Sequence, residues 1–313
     1  MNAVGHFLQE MSMLFLMAST GYVCRKRNIL GKHTTEVCTQ LLLYITLPAF
    51  IVYSLNISFH MDLLTEFLWL ISMSAYILFI SSLLAAWLRK RSGLPDNQKS
   101  PYEGLIIFGN QGFIGYAISF IIFGEIGVTY ATIFNICYFI FIWTYGIYIF
   151  SRGDAHIKWR NIVFNSGIIA TITGLALMFT PFSMPAILEN TLETIGKMTI
   201  PLSMIMIGSL LAEIKKDEYV SLFTTSTLWI SAGAKLFVIP FLLFPFIFLN
   251  VPSSLLVLAA LISGMPSAPT ISLFSYKYGA NANYASLGVF LSTLLSMMTI
   301  PALYWAFTFL TPQ

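Results

Sequence analysis

Two short stretches hold the residues best suited to ligand chemistry. Residues 108–118 read FGNQGFIGYAI, with Asn110 and Gln111 set among Gly109, Gly112 and Gly115. Residues 263–273 read SGMPSAPTISL, with Ser267 and Thr270 set around Gly264, Pro266 and Pro269. Both lie in long apolar runs, where a helix is the ordinary way to satisfy the backbone. Proline withholds an amide donor and clashes with the preceding turn, so Pro266 and Pro269 argue for a break. The inner end of a half-helix carries partial charge, and an N-terminal end can hold an anion without a formal cation. Asn110, Gln111, Ser267 and Thr270 would add neutral donors. The candidate substrate site is therefore Asn110, Gln111, Gly112, Gly115, Pro266, Ser267, Pro269 and Thr270. The plainer reading is that the glycines allow close helix packing, and it weighs most for 108–118, which has no proline.

Among ionisable groups, Lys235 stands out, well inside the apolar run SAGAKLFVIP. Its ammonium is a candidate charge partner for an anionic substrate. The competing readings are a stem that snorkels to the interface, or a bond to a carbonyl at a helix break. Glu193 and Lys197 are close enough in sequence to pair at an interface, and Glu103 reads as a first-turn acid. No Asp lies deep in an apolar run, and His6, His33, His60 and His156 all sit near run ends. A hydrolase would need a nucleophile with its base, or paired carboxylates, at depth. Neither is visible, and Cys24, Cys38 and Cys137 have no metal-ligand spacing. We expect no enzyme, no cofactor and no metal.

The elements that must position these groups follow from composition. Of 313 residues, 57% are apolar and 9% charged, against about 25% charged in soluble domains. Net charge of +3 without a basic patch gives no case for nucleic acid. Ten apolar runs are long enough to span a bilayer. They cover 5–23, 36–55, 65–88, 102–123, 129–150, 162–181, 192–212, 224–248, 253–276 and 284–308. The run at 5–23 precedes its basic cluster, the reverse of a cleavable signal, so it counts as a span.

Every Lys and Arg except Lys197 and Lys235 falls in a connection after an odd-numbered span: Arg25 to Lys32, Arg89 to Lys99, Arg152 to Arg160, Lys215 with Lys216, and Lys277. By the positive-inside rule those connections are cytoplasmic and both termini lie outside. Features also recur about half a chain apart. Pro48 in span two answers Pro201 in span seven, both read as helix breaks, and the Gly-rich span four answers span nine. Five spans per half would insert the halves, 1–155 and 156–313, in opposite senses, the architecture of many secondary transporters. Chance likeness between apolar segments is the alternative.

These motifs, in order along the whole chain, resemble the auxin efflux carrier family of permeases, both its bacterial members and the plant PIN-type carriers. The resemblance rests on GYVCRKRNILGKHTTEV (21–37) leading into LLLYITLPAFIVYSL (41–55), on Asn110-Gln111-Gly112-Phe113-Ile114-Gly115, on PLSMIMIGSLLA (201–212), on KLFVIPFLL (235–243) and on MPSAPTISLFSYKYG (265–279). Ala117 stands where the family has a crossover proline, which shifts the expected break of span four toward its glycines. Asn165-Ser166 replaces an Asn-Pro pair, and Lys235 matches a commonly basic position.

The resemblance implies an all-α fold of ten helices as two inverted five-helix repeats, with broken helices four and nine crossing as in sodium/proton antiporters and bile-acid carriers. It implies a scaffold of spans one, two, six and seven and a transport domain of spans three to five and eight to ten. It further implies elevator-like alternating access, a homodimer, a small organic anion as partner and residence in the plasma (inner) membrane. One rival keeps the fold but couples the anion to sodium or protons. Another is a ligand-binding membrane sensor that moves nothing.

Overall fold

The computed structural model describes residues 3–56, 64–151, 166–180, 184–213, 220, 224–249 and 251–310. Among them the chain is all-helical, its one strand-like feature an isolated bridge between Gly109 and Ser267. Five helical stretches are long and apolar enough to cross a bilayer: Glu36–Ser54, Leu64–Arg91, Ile126–Ser151, Ser226–Leu249 and Ala282–Leu310. These coincide with expected spans two, three, five, eight and ten.

The other expected spans fall on shorter, divided or more polar helices, each for a local reason. Helix α1 (Ala3–Lys26) is long but diluted by His6, Gln9, Glu10 and Ser12. Span two begins with α2 (Lys32–Leu41) and continues through a π-helical turn, Leu42–Thr46, into α3 (Leu47–Ser54). In that turn the Leu47 amide donates five residues back to Leu42, so Pro48 sits in a continuous helix rather than at an end. Helix α4 (Leu64–Arg91) is span three. Span four is divided into α5 (Asp96–Ile107), a π-helical turn (Gln111–Gly115) and α6 (Tyr116–Phe123). Span five runs as α7 (Glu125–Phe141), a π-helical turn (Ile142–Gly146) and α8 (Ile147–Ser151).

In the second half, α9 (Ser166–Phe179) is span six. Span seven starts at an interruption: α10 (Ala186–Lys197) ends at Met198, and α11 (Thr199–Glu213) carries Pro201 in its first turn, where a missing amide donor is tolerated. Span eight comprises α12 (Ser226–Gly233), a π-helical turn (Ala234–Val238) and α13 (Ile239–Phe241). Span nine is divided into α14 (Ser253–Ser263) and α15 (Thr270–Lys277), and α16 (Ala282–Leu310) closes the chain.

Small residues set the tightest contacts. Gly21 of α1 lies on the Ile205 backbone of α11, and Gly208 of α11 lies on the Ala18 backbone of α1. A Cβ at either position would overlap main-chain atoms, so these glycines fix how closely the two helices approach. Helix α9 packs on α3, with Gly174 against the side chain of Leu55 just past the end of α3. Outward faces carry Leu68, Phe79, Ile172, Met298 and Trp305, a covering suited to lipid and not to water.

The basic connections meet at one end of the bundle. Arg89 pairs with Glu103 near the foot of α5, and Ser100 donates to the Ile149 carbonyl of α8. The Asn281 amide donates to Asn97, and Lys277 lies over the Tyr44 ring. The first half of span two, the start of α5 and the described ends of spans five and nine thus share an end. Arg91 over Trp87 and Lys26 over Tyr22 are the basic-aromatic pairs of a membrane interface. Arg152, Lys158, Arg160, Lys215, Lys216, His60, His156 and Asn165 lie outside the described residues.

Candidate functional site at the crossing of two divided helices

The divided helices cross where their helical hydrogen bonding stops. Phe108 is extended, and residues 108–110 run antiparallel to 266–268. The Asn110 amide donates to the Pro266 carbonyl at 2.6 Å, and the Ala268 amide donates to the Phe108 carbonyl at 2.9 Å. Each broken segment thereby satisfies the other, the condition for non-helical backbone in a bilayer. Pro266 and Pro269 end span nine's ladder, as expected. The break in span four falls at 108–110, ahead of Ala117, which lies within helix α6.

Nearly every carbonyl freed at this break has a donor of its own. Leu105 O accepts from the Ser267 hydroxyl at 2.8 Å, and Ile107 O from the Lys235 ammonium at 3.2 Å. Gly109 O accepts from the Tyr138 hydroxyl at 2.9 Å, and Asn110 O from the Gly115 amide at 3.2 Å. Gln111 O has a longer contact, 3.5 Å from Asn135 Nδ2. Ser267 also donates its amide to Ser292 of α16 at 3.0 Å. These bonds meet most of the demand that a buried backbone makes.

Lys235 therefore takes up one of the readings left open by the sequence. Only 1% exposed, it caps the negative C-terminal end of α5. Its stem fills the space beside Gly109, where a Cβ would stand 2.9 Å from Lys235 Cε and 3.2 Å from the Met265 carbonyl. A side chain at 109 would require the end of the Lys235 side chain to move.

On the other side of Gly109 lies a cavity of about 30 Å³, enough for a water molecule. Leu47, Phe50 and Ile51 of α3 form one wall. The opposite wall comprises Gly109, Asn110 and Gly112 of span four, Tyr138, Phe139, Ile142 and Trp143 of span five, and Ala268, Pro269 and Thr270 of span nine. Two helical N-terminal ends point to it, that of α15 at Thr270 and that of the turn beginning at Gln111.

The expected site residues divide by position. Asn110, Gly112, Pro269 and Thr270 line the cavity. Ser267 and Pro266 bind the crossing itself through their hydrogen bonds, while Gly115 and Gln111 sit behind the lining. The side-chain oxygens of Asn110 (4% exposed), Gln111 (2%) and Asn135 (0%) are buried with no hydrogen-bond partner. Glu193 pairs with Lys197 at 2.5 Å and accepts from Tyr53 at 3.0 Å, and neither lines the cavity.

Sequence reasoning missed Tyr138, Trp143, Asn135 and the α3 wall. Asn135 had a usable signal, a lone amide in the apolar run ATIFNICYFIF. The π-helical turns had none, yet those of spans four and five contribute to the cavity lining and that of span eight carries Lys235. Such turns recur at functional sites because they re-aim side chains without ending a helix.

A family model described as "Membrane transport protein", that of the auxin efflux carrier family, matches residues 6–160 and 155–304. The chain is 21% identical over 304 residues to an uncharacterized transporter of Methanocaldococcus jannaschii, covering 94% of this chain and 96% of that protein. Carrying the family's match along nearly its whole length, the chain belongs to the auxin efflux carrier family of membrane transport proteins.

Proposed function

We propose that the protein is a secondary transporter, not an enzyme, that carries a small organic anion through the membrane by alternating access. The anion, a carboxylate, sits where the divided helices cross. The carrying observation is the cavity beside the Gly109–Ser267 bridge, with Asn110 and Thr270 at two converging helix N-terminal ends. Those ends supply positive potential, and the neutral side chains supply donors.

A cavity of about 30 Å³ is too small for a carboxylate, so loading requires its walls to part. The parting surface runs between α3 and spans four, five and nine. We assign spans one, two, six and seven to a fixed scaffold and spans three to five and eight to ten to an elevator-like transport domain. Glycine-mediated packing of α1 on α11 and of α9 on α3 supports a rigid scaffold. It also supports two inverted repeats, 1–155 and 156–313, within a ten-span chain. In such a repeat the pairing of spans one and seven is the counterpart of six and two. The gathered basic connections support a cytoplasmic placement for that end and an outer placement for both termini in the plasma membrane.

Flux of malate-type and auxin-type carboxylates into proteoliposomes is the test. Asn110→Ala and Thr270→Val each remove one donor to a charged ligand, worth about 1.5–3 kcal/mol, so flux at limiting substrate should fall ~10- to 100-fold. Wild-type flux in both variants would sink the site. Carboxylate binding without flux would leave the sensor reading standing.

A second reading adds cation coupling. The unpartnered oxygens of Asn110, Gln111 and Asn135 favour it, since oxygens at unwound helices hold coupling ions in transporters. Uptake that stops when sodium is replaced, or when the proton gradient is collapsed, at constant membrane potential is its signature.

A further inference from the structure

A second, larger cavity of about 350 Å³ opens at the basic end of the bundle. Glu36, Gln40, Leu43 and Tyr44 form one wall, from span two, and Tyr276 and Lys277 the other, from α15. These are the same two elements that face each other across the crossing cavity, through Leu47 and Thr270. Thr270 and Lys277 are the two ends of α15, about 10 Å apart at 1.5 Å per residue. Both cavities thus lie between the same two elements, span two and α15.

Lys277 is the cation of the outer cavity. Its ammonium lies 4.7 Å from the Tyr44 ring centre and 5.3 Å from that of Tyr278. A ring face attracts an ammonium without neutralising it, so the full charge remains for an anion. Glu36, across the cavity, is paired with His33 at 3.3 Å. The cavity therefore combines a cation with no ion pair among the described residues, one acid on the far wall and half-exposed tyrosines, with room for a small carboxylate.

We infer that this cavity is an anion-capture site on the cytoplasmic side, where Lys277 binds the substrate carboxylate before it passes along the span two–α15 seam to the crossing. The inference rests on the proposed function, because it assigns that function's substrate an entry point. Glu36 opposes capture and keeps it shallow, which lets the anion move on. Charge at so exposed a site has a modest, salt-screened effect.

The test uses malate as the probe and initial rates measured separately from each face of oriented vesicles. Lys277→Gln should raise KM ~2- to 5-fold from the cytoplasmic face and leave the opposite face unchanged. Glu36→Gln should lower KM from the same face, and Lys277→Arg should restore it. All three effects should shrink at high ionic strength. Equal shifts from both faces, no shift, or shifts of one sign in Lys277→Gln and Glu36→Gln would overturn the inference. If the wild type moves no malate, the proposed function fails first. Capture is then read by equilibrium binding of labelled malate to the full chain in detergent, where the same opposed effects are expected and their absence overturns it.

Discussion

Gly109→Ala is the sharpest single perturbation of the crossing. The added methyl would stand 2.9 Å from Lys235 Cε, 3.0 Å from Nζ and 3.2 Å from the Met265 carbonyl. The Met265 oxygen is main chain and held by the crossing, whereas the lysine end is free to swing. Lys235 must therefore leave Ile107 O, its 3.2 Å partner. A buried bond to a charged donor is worth about 1.5–3 kcal/mol, and the carbonyl left behind is an orphan at a helix terminus. We expect Gly109→Ala to destabilise by about 2–3 kcal/mol, read as a fall of several degrees in the unfolding midpoint in detergent. Lys235→Met removes the same bond by another route. The double variant should therefore cost little more than the worse single one, a coupling of about 1.5 kcal/mol or more. Gly115→Ala is the control, because its nearest neighbours lie 3.8 Å from the new Cβ and nothing need move. A Gly109→Ala protein as stable as wild type, or full additivity with Lys235→Met, would refute the placement of Lys235 against the break.

Two further outcomes follow from packing and charge. Gly208→Val should separate α1 from α11, because its Cβ overlaps the Ala18 backbone, and the variant should lose its monodisperse peak on size exclusion. Arg89→Met should destabilise more than Glu103→Gln. The former takes the Arg89 guanidinium from a 0%-exposed carboxylate, at up to about 3 kcal/mol, whereas Arg89 is partly exposed and can turn to water. Thermal unfolding of the pair gives the order, and the reverse order would contradict the burial of Glu103.

Much of the fold was legible because membrane physics writes itself into composition. Apolar length marks spans two, three, five, eight and ten, which the structure carries as long helices. The breaks were legible to different degrees. Pro266 and Pro269 remove donors, a defect visible in one dimension. In span four the break sits at 108–110 because Ser267, Lys235, Ala268 and Tyr138 supply donors around it, and these come from three other parts of the chain, spans five, eight and nine. Gly112 and Gly115 looked equivalent to Gly109 in sequence, yet only Gly109 faces both a lysine stem and a crossing backbone. Lys235 stood out as a charge at depth, but whether it met a substrate or a carbonyl depended on which helix end lay opposite. The cavity's aromatic wall was illegible for a simpler reason. Tyr138, Phe139 and Trp143 belong to a run in which aromatic residues are ordinary lipid-phase filling.

The accounting of donors bears on how such a site can both bind and release. The carbonyls freed at residues 105 and 107–110 take donors from the protein, so the negative end of α5 is neutralised internally, in part by Lys235. The opposed positive ends, at Gln111 and Thr270, are not matched by any carboxylate among the residues lining the cavity. Under the proposed function the crossing would hold its anion by two positive helix ends, with no formal cation among the residues lining the cavity. An ammonium at hydrogen-bond distance in a dry site would hold an anion strongly and oppose its departure. Half-helix ends and amides hold it by fractional charges and lose less when water returns. Lys235 placed behind Gly109, where it completes the backbone without lining the cavity, serves a carrier better than the same residue turned forward. By that argument a lysine moved to position 112 would favour binding over turnover, whereas Lys235 in its place favours neither and holds the break open.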